Sequence, residues 1–210
     1  MKPVITVDLD DVALQHISIV LNLLQEEHGF TITLEQITDY YCLEQLTGWS
    51  RERIMEVSKQ AMHDHRTTPF SGAVENLRSL STTYDLLFVT SRMADVLRRT
   101  HQQAEAYFPF HAGVHFSHQQ GNHPAQNYKL TKVRELGSLL HIEDGPHFAE
   151  EIANHSIPVI LMDRPWNQTL PPHPHIHRTL PYKNGHGYQF AEQWQQIPDM
   201  VTDILHHRNP

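Results

Sequence analysis

Short apolar runs rich in β-branched residues recur along the chain, and longer segments with helical periodicity separate them. Runs of this kind, without apolar–polar alternation, are typical of strands buried on both faces of a sheet. They predict strands near 3–8, 86–90, 113–116, 139–143 and 157–162. The intervening segments predict helices over 71–81 with Ser71 as N-cap, and over 94–107, 128–136, 146–154 and 190–206. This alternation predicts an α/β fold, a parallel sheet between two helical layers.

The segment from residue 13 to residue 66 departs from this alternation, because it shows helical periodicity and no convincing strand. Two apolar stripes at helical spacing lie in it: Ile17, Val20, Leu21 and Leu24 before Gly29, and Ile54, Val57 and Ala61 after Ser50. We predict that residues 13–66 form a small helical cap inserted after the first strand. Residues 1–12 and 67–210 would then form the core domain. An ordinary helical layer of the core is the alternative.

Composition and charge argue against a membrane or polymeric nucleic acid as a partner. A chain of 210 residues with 39% hydrophobic content can form one sizeable core, and no stretch approaches the roughly 18 apolar residues of a membrane span. The formal net charge of −8 disfavours a surface for polymeric nucleic acid. The N-terminus lacks a signal-peptide pattern and Cys42 has no second cysteine to pair with, so we expect a cytoplasmic protein. The oligomeric state stays open, a homodimer included.

The 18 histidines raise the question of a transition-metal site, chiefly in the Pro- and His-rich stretch 173–177. Alternate histidines in an extended segment can bind such a metal, but Pro174 interrupts this one and no cysteine or carboxylate set lies nearby. We therefore expect residues 173–177 to form a solvated loop.

Charged and hydroxyl side chains follow three of the predicted strands. They are Asp8 and Asp10, then Thr90, Ser91 and Arg92, and then Glu143 and Asp144. Asp8 and Asp10 leave the same face of the chain, so they repel each other and favour a hard cation such as Mg²⁺, which would also neutralise a bound phosphate. The alternatives are ordinary local roles: a helix cap for Thr90, a surface ion pair for Arg92 and a polar strand end for Glu143 and Asp144.

In this order, with Lys129 before the last pair, the residues resemble the four motifs of the haloacid dehalogenase (HAD) superfamily: Asp8-x-Asp10-x-Val12, Thr90, Lys129 and Glu143-Asp144. Further blocks resemble the deoxyribonucleotidase-type 5′-nucleotidases and their bacterial relatives: Pro69 to Ala73 with Glu75-x-Leu77-x-x-Leu80, residues 129–137, and residues 159–167. The resemblance implies a Rossmann-like core, a Mg²⁺ cofactor and a phosphatase. Lys132 is the rival of Lys129, which matches the family position better.

The resemblance and the chemistry of phosphoryl transfer together suggest a role for each residue. Asp8 is the expected nucleophile, which would form an aspartyl-phosphate and so split one slow step into two easier ones. Asp10 would protonate the leaving oxygen and then activate water. Thr90 would bind phosphoryl oxygens, and Lys129 would offset the charge of nucleophile and phosphate. The expected magnesium ligands are Asp8, Asp10 and Asp144, with Glu143 behind them.

The expected substrate is a small phosphorylated metabolite, and the resemblance implies a nucleoside 5′-monophosphate. Asp11 stands where these enzymes commonly have glycine, and His16 where they often have an aromatic residue. The expected substrate contacts are Ser91, Arg92, His16, Tyr40 and Trp49, although the two aromatic residues could equally belong to the cap core. Two other interpretations stay open: a phosphatase for a sugar phosphate or phosphoglycolate, and a non-catalytic ligand-binding or receiver-like regulatory protein.

Overall fold

Six parallel strands form the central sheet in this computed structural model, which describes residues 2–39, 42–117, 125–185 and 187–206. The strands are β1 (Val4–Val7), β2 (Asp85–Thr90), β3 (Gly113–Phe116), β4 (Ser138–Glu143), β5 (Val159–Leu161) and β6 (Ile176–Arg178). The first five coincide closely with the predicted strands. Their side chains are mostly buried, as the unbroken apolar runs indicate.

β1 lies inside the sheet, whose strand order is β3-β2-β1-β4-β5-β6. Every neighbouring pair is parallel, and Val7 is in register with Phe88 of β2 and Ile142 of β4. The chain builds outward from β1 to β3 and then crosses to β4 on the other side of β1. Open α/β sheets bind ligands beyond the carboxyl ends of their strands at such a reversal. The topology therefore favours a site at the ends of β1 and β4.

Helices cover both faces of the sheet, which confirms the predicted three-layer, Rossmann-like α/β fold. They are α4 (Ala73–Ser81), α5 (Leu97–Tyr107) and α8 (Phe190–His206) on one face, and α6 (Ala125–Glu135) and α7 (Pro146–Asn154) on the other. Each face has its own buried apolar cluster, and Trp194 of α8 and Val133 of α6 are fully buried in them. No helix within the described ranges is long and apolar enough to span a membrane.

The described residues between β1 and α4 include three α-helices: α1 (Ile17–His28), α2 (Cys42–Thr47) and α3 (Arg51–His63). Their apolar side chains form a third cluster, which Trp166 from the end of the β5 region joins. α1 ends at Gly29 in a left-handed conformation (φ 74°), as the predicted stop requires. A separate apolar core supports a cap, and the cap boundaries at residues 13–66 remain a proposal.

Local details differ from prediction at two places. α4 begins at Ala73 with Gly72 as its N-cap residue (φ 86°), so Ser71 as N-cap was wrong. Part of the expected solvated loop 173–177 belongs to β6, which pairs with β5 at the edge of the sheet. β6 has only three residues, of which Ile176 alone is apolar, so its sequence signal is weak. Two further short strands, β7 (Lys183–Asn184) and β8 (Gly187–Tyr188), form an antiparallel hairpin.

Candidate active site

The carboxyl ends of β1, β2 and β4 bring the predicted catalytic side chains to one place. Asp8 follows β1, Thr90 ends β2 and Glu143 ends β4, while Lys129 reaches the same edge from α6. Lys129 and Glu143 are 1% exposed, and Asp8 is 7% exposed. In such a water-poor environment, charges interact strongly and each needs a partner.

Lys129 lies between two carboxylates. Its Nζ is 2.6 Å from Glu143 Oε2 and 3.0 Å from Asp8 Oδ1. Burial lowers the pKa of Lys129, but the two carboxylates outweigh this effect and raise the pKa above its ordinary value. Lys129 is therefore a fixed positive charge beside Asp8. Lys132, its rival in the sequence, pairs instead with Glu135 on the outer side of α6.

Glu143 has its lone pairs filled by the protein. Oε2 accepts hydrogen bonds from Lys129 (2.6 Å) and from His141 Nε2 (3.1 Å). Oε1 accepts from the backbone amides of Asp144 (3.0 Å) and Gly145 (2.9 Å). Burial raises the pKa of Glu143, but Lys129 and these donors hold it below its ordinary value. Glu143 is thus an ionised side chain that positions Lys129, and its place behind the metal ligands stays a prediction.

Asp8 and Asp144 are the two carboxylates of the site that could bind a metal ion. In the described part of the chain, ligand atoms of Asp8, Glu143 and Asp144 lie within 4.8 Å of one another, as a metal site requires. Asp8 Oδ1 is buried and its ion pair with Lys129 lacks hydrogen-bond geometry, so this oxygen has no hydrogen-bond partner. Burial, and then repulsion from Glu143, raise the pKa of Asp144 well above its ordinary value. The unpaired Asp8 oxygen and the missing positive charge fit a divalent cation.

The carboxylate of Asp10, a predicted magnesium ligand, is not part of this group of ligand atoms and is bound by Arg92. Arg92 Nε donates to Oδ2 at 2.8 Å and Nη2 donates to Oδ1 at 2.6 Å, a two-point ion pair. Burial raises the pKa of Asp10, but the guanidinium outweighs this and lowers the pKa from 3.8 to about 2. Thr100 and Gln103 of α5 hold the other side of Arg92. Arg92 therefore contacts Asp10, and its contact with a substrate stays a prediction.

Thr90 and Ser91 lie at the end of β2 beside this pair. Thr90 is 1% exposed, and its Oγ1 accepts a hydrogen bond from the amide of Arg92 at 3.2 Å. The turn that leads into α5 has Met93 as its N-cap residue, so Thr90 does not cap it. Ser91 Oγ accepts a hydrogen bond from Ser117 of the β3 end at 3.3 Å. Both hydroxyls are thus available at the sheet edge where a phosphate would bind.

Asp11 connects the first motif to the helices that follow. Its φ is +58°, a left-handed conformation that favours glycine and that aspartate tolerates. Its carboxylate accepts hydrogen bonds from the amides of His16 (3.1 Å) and Ile17 (2.9 Å), and Arg164 donates to its carbonyl oxygen. An aspartate can therefore replace glycine here, because it caps the start of α1.

A cavity of about 190 Å³ lies between the helices α1 and α3 and the ends of the strands. Most of its wall is apolar: Ile17, Val20, Ile37, Leu43, Ile54 and Trp166. Polar groups from Asp11, His16, Asp39, Ser58 and Asp144 complete the wall, with Met55 beside them. In the described part of the chain, none of the lining residues is Lys or Arg. The cavity thus connects the metal-site carboxylate with a mostly apolar space.

The predicted substrate contacts have different outcomes. His16 lines the cavity, but Trp49 is not among the lining residues. Trp49 packs instead against His28, Phe30 and Arg53 in the helical segment between β1 and α4, the alternative that its sequence context left open. Tyr40 lies outside the described residues.

Three residues of the site had no predicted role. Trp166 Nε1 donates a hydrogen bond to Asp144 Oδ2 at 2.8 Å, and Ser58 contacts His16. His141 is fully buried between Glu143 and Thr6, whose hydroxyl lies 2.9 Å from Nδ1. A histidine inside an apolar strand was the visible signal for His141. The other two contacts join segments too far apart in sequence for spacing to reveal them.

Comparison with known families gives one match over nearly the whole chain. Residues 2–208 match the family model described as 5′ nucleotidase, deoxy (pyrimidine), cytosolic type C protein (NT5C). No curated protein matches the chain.

Several solved structures share the fold at low sequence identity. A haloacid dehalogenase-like protein of Agrobacterium tumefaciens has a TM-score of 0.64 and 14% identity, covering 98% of this chain and 100% of that one. A magnesium-bound HAD hydrolase of Bacillus subtilis has a TM-score of 0.57 and 16% identity, covering 84% and 93%. A predicted phosphoglycolate phosphatase of Haemophilus somnus has a TM-score of 0.56 and 14% identity, covering 95% and 98%. At these identities the likeness shows the fold alone.

Proposed function

Since the chain belongs to the NT5C family of HAD-type 5′-nucleotidases, we propose that it is a Mg²⁺-dependent phosphatase that hydrolyses a nucleoside 5′-monophosphate through an aspartyl-phosphate on Asp8. The observation that carries this proposal is the buried group at the strand ends. Asp8 lies 3.0 Å from Lys129, and its ligand atom is within 4.8 Å of that of Asp144. A phosphate bound there would meet a nucleophile, a fixed cation and a metal site together.

Each residue has a part in the first displacement. An oxygen of Asp8 attacks phosphorus, the bond from phosphorus to the leaving oxygen breaks, and the phosphoryl group is transferred to Asp8. Lys129 stabilises the charge of the carboxylate and the phosphoryl oxygens, and Thr90 donates a hydrogen bond to one of those oxygens. Mg²⁺, held by Asp8 and Asp144 when bound, supplies positive charge that reduces repulsion between two anions. The two half-reactions then need a proton donor and a base.

Asp10 acts first as the proton donor and then as the base. Its pKa of about 2 makes it ionised before substrate binds, and it is ionised again once it has protonated the leaving oxygen. In the second step it accepts a proton from water while the water oxygen bonds to phosphorus and the bond between Asp8 and phosphorus breaks. For the first step, the proton arrives with the substrate, because a phosphomonoester monoanion carries one, with a second pKa of about 6. Asp10 passes this proton to the leaving oxygen, and Arg92 holds the carboxylate in place.

The cavity supports an uncharged leaving group such as a nucleoside. Its wall is mostly apolar, includes His16 and Trp166, and has carboxylates but no Lys or Arg among the described lining residues. The carboxylate of phosphoglycolate would meet negative charge there, so we favour the nucleotide over that alternative. We also propose that residues 13–66 act as a cap over this cavity. The cytosolic description of the family favours a cytoplasmic location, and a homodimer stays a prediction.

The test is a substrate panel with purified protein, Mg²⁺ and matched variants. We expect phosphate release from an aryl phosphate, and higher kcat/KM for nucleoside 5′-monophosphates than for sugar phosphates or phosphoglycolate. Asp8→Asn should abolish release. Asp85→Asn, the same change at the amino end of β2, should retain wild-type activity. Equal activity of wild type and Asp8→Asn would refute the mechanism, and a tenfold preference for sugar phosphates would refute the nucleotide.

A further inference from the structure

His16 approaches the carboxylate of Asp10 without touching it. Its Nδ1 lies 3.8 Å from Asp10 Oδ1, which is too far for a hydrogen bond. This nitrogen is buried and has no hydrogen-bond partner in the protein. Buried polar atoms of folded proteins are almost always paired, so an unpaired one beside a catalytic carboxylate calls for an explanation.

The other edge of the imidazole is tied to the cap helix α3. His16 Nε2 lies 2.9 Å from Ser58 Oγ, and the backbone amide of His16 donates to Asp11 Oδ1 at 3.1 Å. His16 also precedes α1 directly, so it joins the first motif to the cap helices. These contacts hold the ring with its Nδ1 edge toward Asp10.

The charge of Asp10 determines which nitrogen carries the hydrogen. Both oxygens of Asp10 accept hydrogen bonds from Arg92, so the carboxylate is ionised. A lone pair on Nδ1 would face this negative charge and be repelled, whereas an N–H would be attracted. In the neutral ring, Nδ1 therefore carries the hydrogen, and Nε2 accepts a hydrogen bond from the Ser58 hydroxyl.

We propose that His16, held by Ser58, is a positioning residue that hydrogen-bonds Asp10 when the cap helices close over substrate. A shift of about 1 Å brings Nδ1–H to hydrogen-bond distance from Asp10 Oδ1. The inference rests on the proposed function, in which Asp10 transfers the proton. Asp10 gives that proton to the leaving oxygen as the bond to phosphorus breaks and the bond from Asp8 forms. His16 keeps its own proton and fixes the carboxylate from the cap side, as Arg92 does from the core.

Kinetics on two esters test this role. An alkyl phosphate needs its leaving oxygen protonated, whereas the phenolate of p-nitrophenyl phosphate leaves without a proton. For His16→Phe we expect kcat/KM on the alkyl ester to fall by about tenfold or more, a part of the roughly 10²–10⁴ that acid–base catalysis contributes. On the aryl ester kcat/KM should change by less than about threefold, because it reports only the steps up to transfer of the phosphoryl group to Asp8, and the phenolate leaves without a proton from Asp10.

Further variants separate this role from a merely structural one. Ser58→Ala should show the same pattern more weakly, and should add nothing in the His16→Phe background, because the two residues act as a unit. His16→Asn, whose amide nitrogen can occupy the Nδ1 position, should recover alkyl-ester activity, whereas His16→Gln should not. Met55→Leu changes the cavity wall without adding or removing a polar hydrogen-bonding group. It should therefore change kcat/KM by the same factor for both esters.

The tautomer gives a readout that is independent of turnover. ¹⁵N NMR of the ring should show Nδ1–H in the free protein, and its proton should shift downfield when Mg²⁺ and inorganic phosphate are added. An Nε2–H tautomer, equal losses on both esters for His16→Phe, or additive effects of the two substitutions would each overturn the inference. A wild-type protein that hydrolyses neither ester would refute the proposed function, while the tautomer would still test the geometry.

Discussion

Asp8 is buried with Glu143 and Asp144 close to it, and Lys129 alone does not compensate for three carboxylates. Burial, opposed by Lys129 and reinforced by Glu143 and Asp10, raises the pKa of Asp8 from 3.8 to about 7 in the metal-free protein. Because one pKa unit corresponds to about 1.36 kcal/mol, ionising Asp8 in the fold costs about 4 kcal/mol relative to the unfolded chain. This cost should appear as a pH-dependent loss of stability.

Whether stability rises or falls with pH depends on which state, folded or unfolded, binds more protons. Between pH 3.8 and about 7 the folded protein holds a proton on Asp8 that the unfolded chain has lost, so stability falls as pH rises through this window. Asp8→Asn removes the titrating group. In EDTA at pH 8, we expect the variant to be more stable than wild type by about 2–4 kcal/mol, since the pKa of about 7 already includes the attraction between Asp8 and Lys129. For a chain of 210 residues this corresponds to a Tm higher by roughly 5–15 °C.

The assay is thermal unfolding of both proteins in EDTA between pH 5 and pH 8.5. The difference in Tm should grow with pH and level off above pH 7, and Asp85→Asn should show no such trend. Adding Mg²⁺ should raise the Tm of wild type more than that of Asp8→Asn, because the cation supplies the missing charge. A variant less stable than wild type at pH 8, or a difference independent of pH, would contradict this account of Asp8.

Three other substitutions test the same electrostatics. Lys129→Met should remove activity and lower the free energy of unfolding, measured by calorimetry, by about 3–5 kcal/mol, because it leaves two buried carboxylates without their cation. The control Lys132→Met, on the outer side of α6, should change the free energy of unfolding by less than about 1 kcal/mol. Arg92→Gln should raise the pH midpoint of acid unfolding. The pKa of Asp10 is lowered to about 2, so the pair contributes about 2 kcal/mol that is present above pH 3.8 and is lost as pH falls toward 2. Trp166→Phe removes a hydrogen bond to Asp144, and should weaken Mg²⁺ binding by about 10-fold or more in titration calorimetry. Unchanged affinity would show that the indole contributes only packing.

Much of the fold could be predicted because its signals are local. The apolar runs at β1, β2 and β4 are long enough to identify buried strands, and the stripe that ends at Gly29 identifies α1 and its stop. The edge strand β6 was missed, because it has three residues of which only Ile176 is apolar, and it lies in the Pro- and His-rich stretch. Elements whose stability depends on a distant partner are poorly marked in their own sequence.

The candidate site was likewise predictable only in part from the sequence. The order of Asp8, Thr90, Lys129 and Asp144 along the chain was enough to expect them at one sheet edge, because parallel strands end together. The sequence could not show that Arg92 binds Asp10, since these residues are 82 positions apart and either could have faced the substrate.

What the sequence by itself determined is the set of reactive groups and the strands that carry them, because side-chain chemistry and hydrophobic periodicity are properties of short segments. Only the tertiary structure decided how those groups pair: Arg92 with Asp10, Trp166 with Asp144, and Ser58 with His16. The physical reason is that charge, burial and hydrogen bonding depend on distances in space. Those distances are set by how the sheet and the cap helices pack, which no single segment encodes.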